Sequence, residues 1–335
     1  MNQQTSSPDR QRTIPGFDSE RPWHHPKRAW RAILARVYTM TGYHNLGLMA
    51  AGVAFYAFLS IVPLLGAIVM TYGLVADPAS VAKDMQAIMQ VVPADAAALI
   101  EDQLLSVVET ASAQAGFGLA LALLVAIYGA MRSAKAIIQA LNVIYEEEEG
   151  RNFLVLTLTG AVITIGAVVT AVTGLLAIGA LAWLADMAGD PGGTATFFVR
   201  LLSWAVAAAI ASLGFALVYR YGPDRANARW TWLTIGSVAA TLLWVVATLL
   251  FGIYTANFAN YNATYGALGA VVVLLMWLYV SAMAVLIGAE INAEAERQTG
   301  VDSTTGASRP LGRRGATVAD TLPSKRQKKP RRDRY

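Results

Sequence analysis

Arg132, Lys135, Gln139 and Asn142 follow one another at spacings of three, four and three on the second apolar stretch of the chain. A helix puts all four on one face. Much further along, "LIGAEINAE" sets Glu290 near the end of another apolar run. A charge at the centre of a membrane helix costs roughly 2.5–3.5 kcal/mol on insertion scales, so such groups pair, face a wet cavity or reach the headgroups. Three readings follow. Arg132 or Lys135 pairs with Glu290 inside the bundle, both basic side chains snorkel independently, or the cluster forms a substrate site. On the first apolar stretch, Tyr56 and Ser60 lie one turn apart just ahead of Pro63. A polar stripe beside a proline kink would line a path or bond a neighbouring helix.

Other chemistry finds little support. There is no cysteine, which excludes disulfides, thiolate nucleophiles and cysteine metal sites. Histidine occurs only as His24, His25 and His44, too few for the converging ligands that a metal-dependent hydrolase needs. No glycine-rich nucleotide loop is present. The expectation is of no catalytic, cofactor-binding or metal-ligating residue, and of no cofactor.

The elements that must position these residues are membrane spans. Hydrophobic residues make up 56% of the 335, charged residues only 14%, and the mean hydropathy is +0.46; a soluble domain carries about 25% charge. About 20 apolar residues cross the hydrocarbon core, and six stretches qualify: roughly 46–74, 116–141, 153–185, 197–221, 230–256 and 265–293. Pro63 is expected to kink the first. The third is long enough to tilt or break near Gly166, Gly174 and Gly179. An all-α integral membrane protein of six transmembrane helices is the expected fold. Of the 26 Lys and Arg residues, 24 fall on one side of that arrangement and only Lys83 and Arg200 on the other, so both termini are expected in the cytoplasm. No cleavable leader precedes the first stretch.

Outside the core, residues 1–44 read as a polar, basic N-terminus. Within it, about 26–40 form an amphipathic helix with Trp30, Ile33, Leu34, Val37 and Tyr38 on one face, lying on the leaflet or packed on the bundle. The extracytoplasmic loop from Asp77 to about Ala115 reads as two amphipathic helices whose six carboxylates form a solvated face. "YTANFANYNATYG" (Tyr254–Gly266) ties the last two spans into a hairpin, and Glu146–Glu149 read as a solvated turn. Residues 296–335, rich in Gly, Ser, Thr, Pro and basic side chains, read as a disordered tail attracted to anionic lipid.

Three stretches carry a resemblance: "MAAGVAFYAFLSIVPLL" (Met49–Leu65), "YGAMRSAKAIIQALNVIYEEEEGRNFL" (Tyr128–Leu154) and the long segment from Tyr219 to Glu294. In order and spacing they resemble the YihY/virulence factor BrkB family, whose older label is "ribonuclease BN-like". The resemblance implies a six-span bacterial inner-membrane protein and leaves the activity open. The residues do not support the ribonuclease label. Transport or lipid handling in the cell envelope is the expected function, with a non-catalytic assembly or scaffold role as the alternative. The expected partners are the bilayer, its anionic lipids, and an envelope protein or second copy; nucleic acid is not expected.

Overall fold

The computed structural model describes residues 14–75, 120–121, 124–187, 194–257 and 267–323. Their regular structure is helical, with one isolated antiparallel bridge between Ala228 and Thr304. A short 3-10 turn, Pro22–His24, precedes α1 (Lys27–Tyr43) and α2 (Leu46–Val75). Then come α3 (Leu124–Ile144), α4 (Phe153–Met187), α5 (Thr194–Tyr221), α6 (Trp230–Asn257), α7 (Ala267–Arg297) and the single turn α8 (Thr317–Asp320).

Helices α3 to α7 each contain a stretch long and apolar enough to cross a membrane; the pair α1–α2, bent by 64° around His44 and Asn45, makes a sixth if counted as one span. Their outer faces carry bulky apolar residues in the open, such as Leu158, Ile165, Phe198, Trp204, Leu242 and Leu250, each more than half exposed. Such a surface needs lipid as its solvent. α4 is continuous for 35 residues, through Gly166, Gly174 and Gly179, so it does not break at its glycines; α2 continues as a helix through Pro63. The loop 77–115 and the centre of Tyr254–Gly266 lie outside the described residues.

The chain divides into two compact units. In the first (Met1–Gly47, Ile138–Leu243 and Ala284–Tyr335) the apolar core joins Ile33 and Val37 of α1 to Trp232 of α6 and to Ile291 and Ala295 of α7. α1 thus uses its apolar stripe for packing. Its face is rotated from the expected one, since Ala29 and Met40 are buried while Leu34 and Tyr38 are exposed. α6 and α7 cross where Gly236 meets Gly288, so closely that a Cβ on either would overlap the other's carbonyl oxygen. Asn292 locks this crossing. Its Oδ1 accepts the Gly236 N–H at 2.7 Å and its Nδ2 donates to the Leu233 carbonyl at 3.2 Å. In the second unit (Leu48–Ile137 and Trp244–Met283), Gly129 of α3 packs on Ser60 of α2. There the Trp244 indole also donates to Ser281 Oγ at 3.1 Å.

The tail departs furthest from expectation. Through residue 323 it is folded: Gln298, Thr299, Asp302, Ser303, Thr304, Arg314, Val318 and Ala319 are buried. Residues 324–335 lie outside the described residues. Composition alone suggests disorder because the segment has little apolar surface to bury. It is held instead by hydrogen bonds, including Arg229 N–H to the Ser303 carbonyl at 2.8 Å and Gly300 N–H to the Phe17 carbonyl at 2.7 Å.

Candidate functional site

The polar end of α7 is a run of buried charge. Glu290, Asn292, Glu294, Glu296, Arg297 and Gln298 all have almost no exposed surface. A buried charge is costly unless paired, and each of these finds a partner from another element. At the α1–α2 corner, His44 Nδ1 lies 3.0 Å from Glu290 Oε2. Arg36 of α1 bonds the Glu294 carboxylate and donates to Gln298 Oε1 at 2.7 Å. Arg225, from the α5–α6 loop, grips Glu296 with both ends of its fork at 2.6 and 3.3 Å, while the Tyr145 ring lies 4.8 Å beneath its guanidinium. Arg297 reaches Glu146 at 2.8 Å.

The Glu146–Glu149 run is therefore not a plain solvated turn. Three of its carboxylates act as clasps. Glu146 takes Arg297, and Glu147 accepts the Thr317 N–H at 2.7 Å and its hydroxyl at 3.1 Å. Glu149 takes Arg151 at 2.6 Å and the Asn142 amide at 2.9 Å. Burial raises the Glu147 pKa despite the Thr317 bonds, and the Arg151 hydrogen bonds lower that of Glu149. Burial and then the Glu296 charge hold the Tyr145 phenol well above its ordinary value. His25, whose Nε2 lies 3.2 Å from the Ala295 carbonyl, is held below its usual value, chiefly by burial.

Within its own unit, Glu290 takes His44 as its partner. Its Oε1 and the His44 Nε2 are buried with no hydrogen-bond partner among the described residues. Arg132 is exposed, with its guanidinium 5.2 Å above the Tyr128 ring and its Nε donating to the Tyr128 hydroxyl at 3.1 Å. Lys135 is half-buried and Gln139 exposed. From that helical face Asn142 enters the network, its Oδ1 accepting the Asp224 N–H at 2.8 Å. Tyr56 is half-buried, and Ser60 is buried and donates to the Ala57 carbonyl at 2.7 Å. Sequence reasoning missed Arg36, His44, Arg225, Glu294, Glu296 and Arg297. A signal was present, since Glu290, Glu294 and Arg297 continue one face of α7 at spacings of four and three.

A second feature lies between two helices of the same unit. α5 and α6 part to leave a groove of about 450 Å³, lined by Ala208, Ala209, Ser212 and Ala216 on one wall and Trp230, Thr234, Ser237 and Thr241 on the other. Its hydroxyls are engaged within the walls: Ser212 donates to Ser237 Oγ at 3.1 Å, and Ser237, Thr234 and Thr241 bond carbonyls of their own helix. What the groove offers a ligand is apolar. One turn beyond Ala216, Arg220 lies with its guanidinium 4.7 Å over the Trp230 ring.

Among the described residues, no three His, Asp or Glu side chains converge as a metal site. The fold and these two sites define a polytopic helical membrane protein with a buried ionic network at the polar end of its last span. The chain belongs to the virulence factor BrkB family, whose model matches residues 37–311. It is 29% identical over 266 residues to a protein named as ribonuclease-like, YfkH of Bacillus subtilis, covering 78% of this chain and 94% of that one. It is 28% identical over 198 residues to a UPF0761 membrane protein of Idiomarina loihiensis, covering 59% and 66% of the two chains. No solved structure matches it.

Proposed function

We propose that this protein handles membrane lipid in the bacterial inner membrane, without catalysis and with its charged end in the cytoplasm. The observation that carries the reading is the apolar groove between α5 and α6, two helices apolar enough to cross a membrane. A conduit for a soluble ion or polar solute needs unpaired polar groups along its wall. Among the described residues, Arg36, Arg225 and Arg297 and the carboxylates Glu290, Glu294 and Glu296 are taken up in pairs at the polar end of α7. Cytoplasmic placement of that end rests on the distribution of Lys and Arg. The exposed Lys27, Arg28 and Arg31 of α1, beside exposed Leu34 and Tyr38, suit contact with an anionic leaflet. The ribonuclease-like name belongs to YfkH and brings no catalytic residue to this chain.

The test is lipid movement. Vesicles containing the purified protein and a head-group-labelled phospholipid should expose inner-leaflet label to an impermeant quencher faster than protein-free vesicles. Equal rates with folded protein overturn the reading. A scaffold role is the second reading, favoured by the folded polar cap that residues 298–323 build over the end of α7; it predicts no lipid movement and loss of function on deleting that cap.

A further inference from the structure

Six arginines among the described residues are buried or half-buried: Arg36, Arg151, Arg220, Arg225, Arg297 and Arg314. Five of them meet a carboxylate within 4 Å, namely Glu294, Glu149, Glu296, Glu146 and Asp302 respectively. Arg220 does not. Its charge meets no acid among the described residues: one Nη donates to the Ala228 carbonyl, its Nε is buried without a hydrogen-bond partner, and its plane rests on Trp230 and Tyr221. A half-buried guanidinium without a counter-charge is costly in proportion to its burial, so its position suits an anion.

That position lies one helical turn beyond Ala216, the last α5 residue to line the groove. Ser212, Ala216 and Arg220 are four residues apart on α5 and share one face, and Trp230 both lines the groove and carries the Arg220 stack. From Ala208 to Arg220 the α5 wall runs about 18 Å at 1.5 Å per residue. An apolar slot with an uncompensated cation one turn beyond its last α5 residue is complementary to an amphiphile with an anionic head. Trp230, 44% exposed, is the side-chain type that sits at headgroup level. Size argues against a second copy's helix. A helical segment of that length and about 10 Å across fills about 1,400 Å³, whereas the groove holds about 450 Å³.

We infer that the α5–α6 groove binds one phosphate-bearing membrane lipid, with an acyl chain along Ala208, Ala209, Ser212 and Ala216 and the phosphate on Arg220. The inference rests on the lipid-handling reading and names its site. The planar, charged Arg220 guanidinium is the side-chain type that suits phosphate oxygens. The small side chains of α5 leave room for the chain, and Trp230 holds the guanidinium in place from below.

The test uses the full-length protein reconstituted in vesicles of phosphatidylglycerol or of phosphatidylcholine, extracted in mild detergent and weighed by native mass spectrometry. Wild-type protein should retain one phosphatidylglycerol per chain, about tenfold in preference to phosphatidylcholine, a difference of about 1.4 kcal/mol. Arg220→Gln should abolish that preference. Ala209→Phe, at an exposed groove position, should reduce retention of both lipids. Arg220→Lys, which keeps the charge, reads the same effect in part if the Gln variant does not fold. Unchanged phosphatidylglycerol retention in the folded variants overturns the site. So does an Ala209→Phe variant that alters only the oligomeric mass, since the groove would then seat a second copy. Retention without lipid movement overturns the proposed function and leaves the site standing; movement that persists while no variant alters retention does the reverse.

Discussion

At the scale of single residues, the pairing of Glu290 decides which charges the fold depends on. Its carboxylate is fully buried against His44, whereas Arg132 lies in the open on Tyr128. Removing one partner of a buried hydrogen-bonded pair leaves the other desolvated, at about 1–3 kcal/mol, while exposed substitutions stay within about 0.5 kcal/mol. Glu290→Ala should therefore lower the thermal midpoint of the detergent-solubilised protein by several degrees, Glu290→Gln by less, and Arg132→Ala hardly at all. Comparable losses from Arg132→Ala and Glu290→Ala would contradict this ranking of the two charges. His25 gives a pH dependence whose sign follows from burial. Its folded pKa lies below its unfolded value, so its contribution is complete above about pH 6.5 and is lost as pH falls through the folded value. Hydrogen exchange of residues 14–25 should quicken between pH 7.5 and 5.5, and a His25→Gln variant, which cannot titrate, should lose that dependence. An exchange rate that follows hydroxide catalysis alone in the wild type rules this out.

At the scale of elements, one residue type behaves in two ways. Gly236 and Gly288 bring α6 and α7 into backbone contact, and no Cβ fits at either position; close approach of this kind is how membrane helices gain packing where lipid is as apolar as they are. Gly166, Gly174 and Gly252 face open space within 4 Å. Gly236→Ala or Gly288→Ala should sharply reduce the yield of monodisperse protein. Gly166→Ala and Gly252→Ala should be neutral or stabilising by up to about 1 kcal/mol, from helix propensity alone. Fluorescence-detected size exclusion of the four variants after a heat challenge separates the two classes, and equal behaviour would refute the crossing. The sequence does not distinguish these glycines, because what decides is the neighbouring helix's backbone. The same limit explains the unbroken α4: its glycines looked like break points by type, but a glycine costs a helix little in lipid, where leaving the helix would expose backbone groups.

At the scale of the whole chain, the apolar helices and the existence of helix α1 were legible, because length and apolar periodicity carry that information. The ionic network was less so. Arg36, Arg225 and Arg297 were weighed only as charges that set orientation, and a topology count does not say which of them fold inward. The tail was misread for a related reason: apolar area is the wrong measure for a segment held by polar bonds to buried acids. Ser303 donates to Glu296 at 2.9 Å, Thr317 to Glu147, and the Arg314 guanidinium to the Ala319 carbonyl at 2.7 Å. Asp302 organises the turn, accepting the Thr304 N–H at 2.9 Å, its hydroxyl at 2.7 Å and the Arg309 N–H at 2.8 Å. Against the opposing effect of burial, these bonds and Arg314 lower the Asp302 pKa; its contribution is present above about pH 4 and is lost as pH falls through the lowered value. Two truncations should then behave oppositely. Ending the chain after Gln298 strips these donors from Glu296 and Glu147, and should lower the thermal midpoint more than any single variant above. Ending it after Pro323 removes seven basic residues and none of these bonds, so the midpoint should hold while attachment of the protein held in neutral-lipid nanodiscs to anionic vesicles weakens, by about 1 kcal/mol for each charge that reaches the surface. If the shorter chain melts where the full one does, the buried acids at the end of α7 do not need their cap, and the network is held by Arg36, His44 and Arg225 alone.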